Sequence, residues 1–302
     1  MDVGLAELNE NDEVSGSGMS TIDVKEKLYI ATFSEDAIRC ARDYGVGLEI
    51  NHTCISEVLD EANREKLLAE IRADAAAAGV AECSELVDPA DVSSGPMGGR
   101  RSGLVLHGPF TEIHPSAIDY RVRELGMERL NQAYDVCAAL GVNRMVVHTG
   151  WLPFIYFKNW YVDEGSQFWQ KFMADKPSDF NIYIENVLED EPHMLLDLVK
   201  RIDDSRVGLC LDIGHANAMT QADISVEKWI ETLGPYIGHF HLHNNDGSGD
   251  SHSAFDCGSM DMERILSKIS ECCPADATLT IEARDARSCL EWLAAHEYIK
   301  QR

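Results

Sequence analysis

The sequence predicts a single α/β domain over residues 25–302, a (β/α)8 TIM barrel. Three observations carry that expectation. Short apolar runs alternate with helical patterns eight times along the chain. The runs are almost continuously apolar, as in a parallel sheet covered on both faces. From the third run onward most close on histidine, aspartate or glutamate, at the strand ends where such barrels carry their sites. A doubly wound open sheet is the alternative, but it does not readily gather residues from strands three to eight around one point.

The elements follow in order. Leu28–Ala31 is a strand, and residues 34–44 read as a helix with Ser34 as N-cap. Residues 46–50 form the second strand, and an Ala-rich helix over 61–78 stops at Gly79. Residues 85–100 hold two Pro, three Gly and two Ser, which reads as a surface loop. Leu104–His107 is the third strand, followed by a helix over 116–140 closed by Gly141. Arg144–His148 is the fourth, followed by an aromatic segment (Trp151, Phe154, Tyr156, Phe157, Trp160, Tyr161) and a helix to about residue 174. The fifth strand ends at Glu185 with a helix over 192–202, and the sixth ends at Asp212 with a helix near 226–233. The seventh spans 237–243 with a helix over 260–272, and the eighth ends at Glu282 before a last helix over 286–296.

Composition narrows the function classes. There are 52 acidic and 26 basic residues, a formal charge of −26, which disfavours non-specific nucleic-acid binding. No run of 18 apolar residues occurs, so no membrane span is expected. Residues 1–24 are acidic and Ser/Gly-rich without the features of a secretory signal, and read as a flexible tail. Nine cysteines lack CxxC spacing, and Cys40, Cys137, Cys210 and Cys289 fall within apolar segments. Reduced thiols and a cytoplasmic location are the simplest reading.

A charged or imidazole side chain ending an apolar run is costly unless it is paired or bound to a cation. Glu185, Asp212, His241 and Glu282 each end a different strand, which suggests one shared site. A carboxylate paired with Arg284 or a backbone amide is the plainer reading for Glu185 and Glu282. Seven of the eleven histidines lie at or just after strand ends: His107, His148, His215, His239, His241, His243 and His252. One or two of these are expected to be structural. His239, His241 and His243 share a face in successive layers, so all three are not expected on one ion. Asp212 and His215 stand three residues apart on a turn, and Asp250-Ser251-His252 is either a turn or a second ligand pair.

The ordered motifs Leu106-His107-Gly108-Pro109, Val147-His148-Thr149-Gly150, Ile184-Glu185-Asn186, Leu211-Asp212-Ile213-Gly214-His215, His241-Leu242-His243-Asn244-Asn245-Asp246-Gly247, Asp250-Ser251-His252 and Ile281-Glu282 resemble the xylose-isomerase-like barrel superfamily. The resemblance covers about residues 27–298. Its sugar phosphate isomerase/epimerase branch implies one divalent ion on Glu185, Asp212, His241 and Glu282. Mn2+, Mg2+ or Co2+ suits that oxygen-rich set. Glu185 and Glu282 then exchange the proton α to a carbonyl through an enediolate. The family-2 apurinic endonuclease branch implies three Zn2+ on nine ligands: His107, His148, Glu185, Asp212, His215, His241, Asp250, His252 and Glu282. His243-Asn244 departs from both branches, where an acid often follows the histidine pair. Arg284 and His215 are candidates to hold substrate oxygens, Trp151 to wall the pocket and Lys158 to bind an acidic group. The expected function is isomerisation or epimerisation of a sugar or polyol-type ketone, with a small polyhydroxylated substrate and no nucleic-acid partner. The alternatives are an endonuclease IV-like multi-zinc phosphodiesterase, a related sugar-processing lyase or deglycosylating subunit, and a non-catalytic metal- or sugar-binding barrel. Barrels of this type also suggest a homo-oligomer.

Overall fold

Eight short parallel strands close on themselves in chain order, with β1 paired to both β2 and β8. The computed structural model describes residues 25–80, 103–221 and 223–299; the expected tail (1–24) and surface loop (85–100) lie outside them. The strands are β1 (Leu28–Ala31), β2 (Gly47–Ile50), β3 (Leu104–His107), β4 (Arg144–His148), β5 (Asn181–Glu185), β6 (Val207–Asp212), β7 (Ile237–Leu242) and β8 (Thr278–Ile281). The helices are α1 (Ala37–Tyr44), α2 (Arg64–Ala78), α3 (Tyr120–Leu140), α4 (Lys158–Met173), α5 (His193–Ile202), α6 (Ile213–Met219), α7 (Val226–Leu233), α8 (Met262–Cys272) and α9 (Ala286–Ala295).

Side chains alternate along each strand, so every strand divides its residues between two cores. One set, including Ile30, Leu48, Leu106, Val147, Ile184, Leu209, Phe240 and Ile281, is buried with the helices in one continuous cluster. The other set faces the barrel axis. Tyr29, Val105, Val146 and Cys210, with Tyr183, form a separate small cluster. Above and around it stand buried polar groups: Glu49, His239, Thr278 and Thr280. Branched aliphatic side chains commonly fill such an interior; here they fill only part of it. Lower in the barrel, Arg144 donates from Nη2 to the Tyr29 hydroxyl at 2.7 Å.

Two tyrosines make the floor tight. Tyr29 lies over Gly47, where an added Cβ would sit 2.4 Å from the ring and 2.7 Å from the Gly103 carbonyl oxygen. Tyr183 lies over Gly238 in the same way, at 2.3 Å. Gly238 is also the extra residue of a β-bulge, since Leu209 pairs with Ile237 but Cys210 pairs with His239.

Several helix starts differ from expectation. Ser34 does not cap α1: its hydroxyl donates to the Ala283 carbonyl at 2.6 Å, and the helix begins at Ala37 behind Asp36 in the left-handed region. A 3-10 turn at Glu61–Asn63 occupies the expected first turn of α2, which begins at Arg64. α3 and α8 begin later than predicted because Asp119 and Asp261 cap them through Arg121 N and Arg264 N. α6 was not foreseen; its cap is Asp212, which accepts from His215 N at 2.6 Å. His243 and Glu282 fall one residue beyond the ends of β7 and β8. Cys40, Cys137, Cys210 and Cys289 are buried free thiols. Among the described residues, no helix is long and apolar enough to cross a membrane.

Gly47→Ala is expected to lower unfolding free energy by about 1–3 kcal/mol through overpacking under Tyr29. Equilibrium denaturation measures this, and an unchanged midpoint would show that the floor yields.

Candidate metal centre

The strand ends, the start of α6 and the loop after β7 bring all nine predicted ligands together in three adjoining groups. In the first, His107 Nε2 and His148 Nε2 lie 3.2 and 3.4 Å from Glu185 Oε2. In the second, His241 Nδ1 lies 3.1 Å from Glu185 Oε1, 3.1 Å from Glu282 Oε2 and 3.8 Å from Asp212 Oδ2. In the third, Asp250 Oδ2 lies 3.3 Å from His215 Nε2 and 2.9 Å from His252 Nε2. Glu185 belongs to the first two groups, one oxygen to each.

The spacing suits cations. Bonds of about 2.0–2.2 Å to a central ion put neighbouring ligand atoms roughly 2.8–3.6 Å apart in tetrahedral or octahedral geometry. The observed separations fall in or near that range, and the donors are imidazole nitrogens and carboxylate oxygens, which suit Zn2+, Mn2+ or Co2+. The residues therefore fit one to three divalent ions.

Backbone carbonyls orient three outer histidines. Each directs Nδ1 at a carbonyl oxygen and so turns Nε2 toward its group: His107 to Gly108 O at 2.9 Å, His215 to Asn186 O at 2.9 Å, and His252 to Glu282 O at 2.7 Å. His241 is reversed. It presents Nδ1 to the centre, and its Nε2 lies 3.0 Å from Glu49 Oε1. His239 faces the other oxygen of Glu49 at 3.0 Å, and Thr278 at 2.6 Å. His239 is thus structural, one layer below the ligands. His243 packs on Asp212, 3.1 Å from Oδ1, and stacks on His252 at 4.1 Å between ring centres.

Asn186 and Asn244 hold the frame. Asn186 exchanges two hydrogen bonds with the Asp212 backbone, at 2.9 and 2.8 Å. Asn244, where an acid was expected, is fully buried and donates from Nδ2 to the carbonyls of Phe255 and Met260, while Oδ1 accepts from Asn245 N. An aspartate could not make the two donations. The paired Asn244 and Ser253 backbones hold the loop just after His252, and this amide holds its continuation at Phe255 and Met260.

Opposite charges and burial compete over the protonation of these groups. Burial opposes ionisation of Glu185, but His241, His148, His107 and His215 outweigh it and hold the pKa well below the usual range. Burial likewise disfavours charging His241, yet Cys210, Glu282, Glu185 and Glu49 push its pKa well up. His107 is raised against burial by Cys54 and Glu185, and His215 by Asp212 and Asp250. His252 is raised against burial to about 9, chiefly by Asp250. Burial dominates at His148 and holds it at about 3 despite Glu185.

Three other predicted residues lie outside these groups. Trp151 is buried, with its indole N–H on the Tyr156 carbonyl at 2.9 Å, and so props the aromatic loop from beneath. Lys158 is paired with Asp190 at 2.5 Å and Glu191 at 2.9 Å. Arg284 is exposed, and its backbone N–H holds the His252 carbonyl at 2.9 Å. Sequence reasoning missed Glu49, although it is an acid in an apolar strand like Glu185. It also missed two half-exposed phenylalanines: Phe110 stacks on His148 at 4.4 Å, and Phe33 meets His252 edge-on at 5.3 Å.

The profile of the xylose isomerase-like TIM barrel family matches residues 72–300. The chain belongs to this family. An uncharacterised protein of Methanocaldococcus jannaschii, MJ1311, is 31% identical over 199 residues, covering 62% of this chain and 67% of that one. A probable endonuclease 4 of Mycobacterium marinum is 28% identical over 195 residues, covering 60% of this chain and 73% of the other. The crystal structure of a D-tagatose 3-epimerase-like protein superposes with a TM-score of 0.63 at 23% identity, covering 90% and 96% of the two chains. At that identity the likeness is one of fold. The chain thus resembles endonuclease 4 sequences and shares its fold with an epimerase-like structure.

Metal loading must displace the protons on His107, His215, His241 and His252. Zn2+ titration of the metal-free protein at pH 7 is expected to release protons. The calorimetric heat should then depend on the buffer's ionisation enthalpy, and apparent affinity should rise as pH approaches the His252 value of about 9. Heats independent of the buffer would contradict these protonation states.

Proposed function

We propose that this chain is a divalent-metal-dependent isomerase or epimerase of a small, uncharged, polyhydroxylated substrate. The observation that carries this reading is the charge of the rim. Arg284 is the one Lys or Arg in the segments that connect strand ends to the following helices. Lys158 and Arg64, which open α4 and α2, are paired with acids. Those segments carry many carboxylates besides the ligands, among them Glu35, Glu57, Glu112, Glu189, Asp246 and Asp256. Such a mouth repels phosphodiesters and admits neutral polyols.

A divalent ion held by Glu185, Asp212, His241 and Glu282 supplies Lewis acidity toward a carbonyl and its neighbouring hydroxyl. Glu282, next to the mouth, then takes the proton α to the carbonyl on a carboxylate oxygen. Glu185 approaches from the strand three places round the barrel and returns a proton to the opposite face. His107, His148 and His215 surround Glu185 and hold its carboxylate in place. Phe110 and Phe33 flank the mouth and limit the entry of water.

A second reading is multi-metal phosphoester hydrolysis. It is favoured by the nine ligands in three groups and by the placement of Glu185 between two of them. The likeness to endonuclease 4 sequences points the same way.

Metal-loaded protein incubated with a ketose panel in D2O is expected to place deuterium α to the carbonyl. Glu282→Gln should slow that exchange by about 10²–10⁴-fold. No exchange on any ketose, together with cleavage of duplex DNA bearing an abasic site, would replace this reading with the second. Metal content would follow: near one ion per chain for the first, three zinc for the second.

A further inference from the structure

We propose that Glu49 is the positioning residue that turns His241 to offer Nδ1, rather than Nε2, to the metal centre. This rests on the reading that the centre binds divalent ions. It adds a residue on the far side of the barrel from His241 that sets how the ion is held.

The argument begins with the contrast among the histidines. His107, His215 and His252 each spend Nδ1 on a neighbouring backbone carbonyl. That arrangement is built into the chain path. His241 lies mid-barrel with its Nδ1 among Glu185, Glu282 and Asp212. Its other nitrogen faces Glu49 Oε1 at 3.0 Å, so Nε2 keeps its proton on a carboxylate and Nδ1 is the nitrogen that gives up its proton to a cation.

Glu49 is itself fixed. Its Oε2 accepts from the Thr280 hydroxyl at 2.5 Å and faces His239 Nε2 at 3.0 Å. His239 is held in turn by Thr278 at 2.6 Å. Glu49, His239, His241 and Thr280 are all fully buried, so water does not compete for these contacts. A carboxylate enclosed there carries a large desolvation cost unless it acts on something. Its contacts lead to the ligand nitrogen, and it adds negative charge behind that ligand, strengthening imidazole donation.

The test uses the full chain stripped with chelator, then titrated with Co2+ and Zn2+ against a competing chelator. Glu49→Gln keeps the volume but removes the charge. It is expected to weaken metal affinity 10–100-fold while the far-ultraviolet circular dichroism of the metal-free protein is unchanged. Wild-type protein that binds no ion would overturn the metal-centre reading and this inference together. Wild type that binds tightly, with Glu49→Gln binding equally well, would overturn this inference alone. A second measurement does not depend on the variant folding. Long-range 1H–15N correlation on zinc-loaded wild type should show His241 with a protonated Nε2 and a metal-bound Nδ1. A metal-bound Nε2 on His241 overturns the proposal.

Discussion

Glu185 is the carboxylate on which the barrel's upper layer converges. Histidines on β3, β4 and β7, and one at the start of α6, all lie within 3.5 Å of its two oxygens. A single buried carboxylate would be costly, and so would a group of buried imidazolium ions. Gathered together they offset each other, and a cation can take the place of the protons. The closed sheet makes this possible, because it brings ends of strands distant in sequence within reach of one carboxylate. The Asn186 bonds to the Asp212 backbone and the Asn244 bond to the Phe255 carbonyl then serve to keep these ends in place.

Beneath that layer, polar groups continue down the axis through His241, Glu49, His239 and Thr278. The helices pack on the aliphatic outer faces of the strands and supply the larger apolar core. The fold thereby separates two tasks. Stability comes mainly from the sheet–helix layer, and the interior is left free to hold charge in a fixed arrangement.

The fold and the positions of His107, His148, Glu185, Asp212, His241 and Glu282 at the strand ends were legible because each closes an apolar run, where a lone polar residue stands out. Eight such runs with helical spacers define a barrel, and the strands fall where the runs do. What stayed hidden depended on contacts across the closed ring. Glu49 sits in a four-residue strand, where an acid equally fits a solvent-facing position; only closure sets it against His239 and His241, 190 and 192 residues away. Ser34 has the chemistry of a helix cap, but the end of β8 claims its hydroxyl. Lys158 and Trp151 suit a binding wall by residue type, yet their partners, Asp190, Glu191 and the Tyr156 carbonyl, are set by how the rim loops fold over. The start of α6 was obscured because Asp212 both caps the helix and joins the ligand group.

The two ways of orienting a histidine respond differently to substitution. For His107, His215 and His252 the orientation is written into the main chain, so it persists through almost any change in neighbouring side chains. For His241 it is written into one side chain on another strand. A side-chain substitution nearby leaves the three backbone contacts standing, whereas one at Glu49 removes the partner of His241 Nε2.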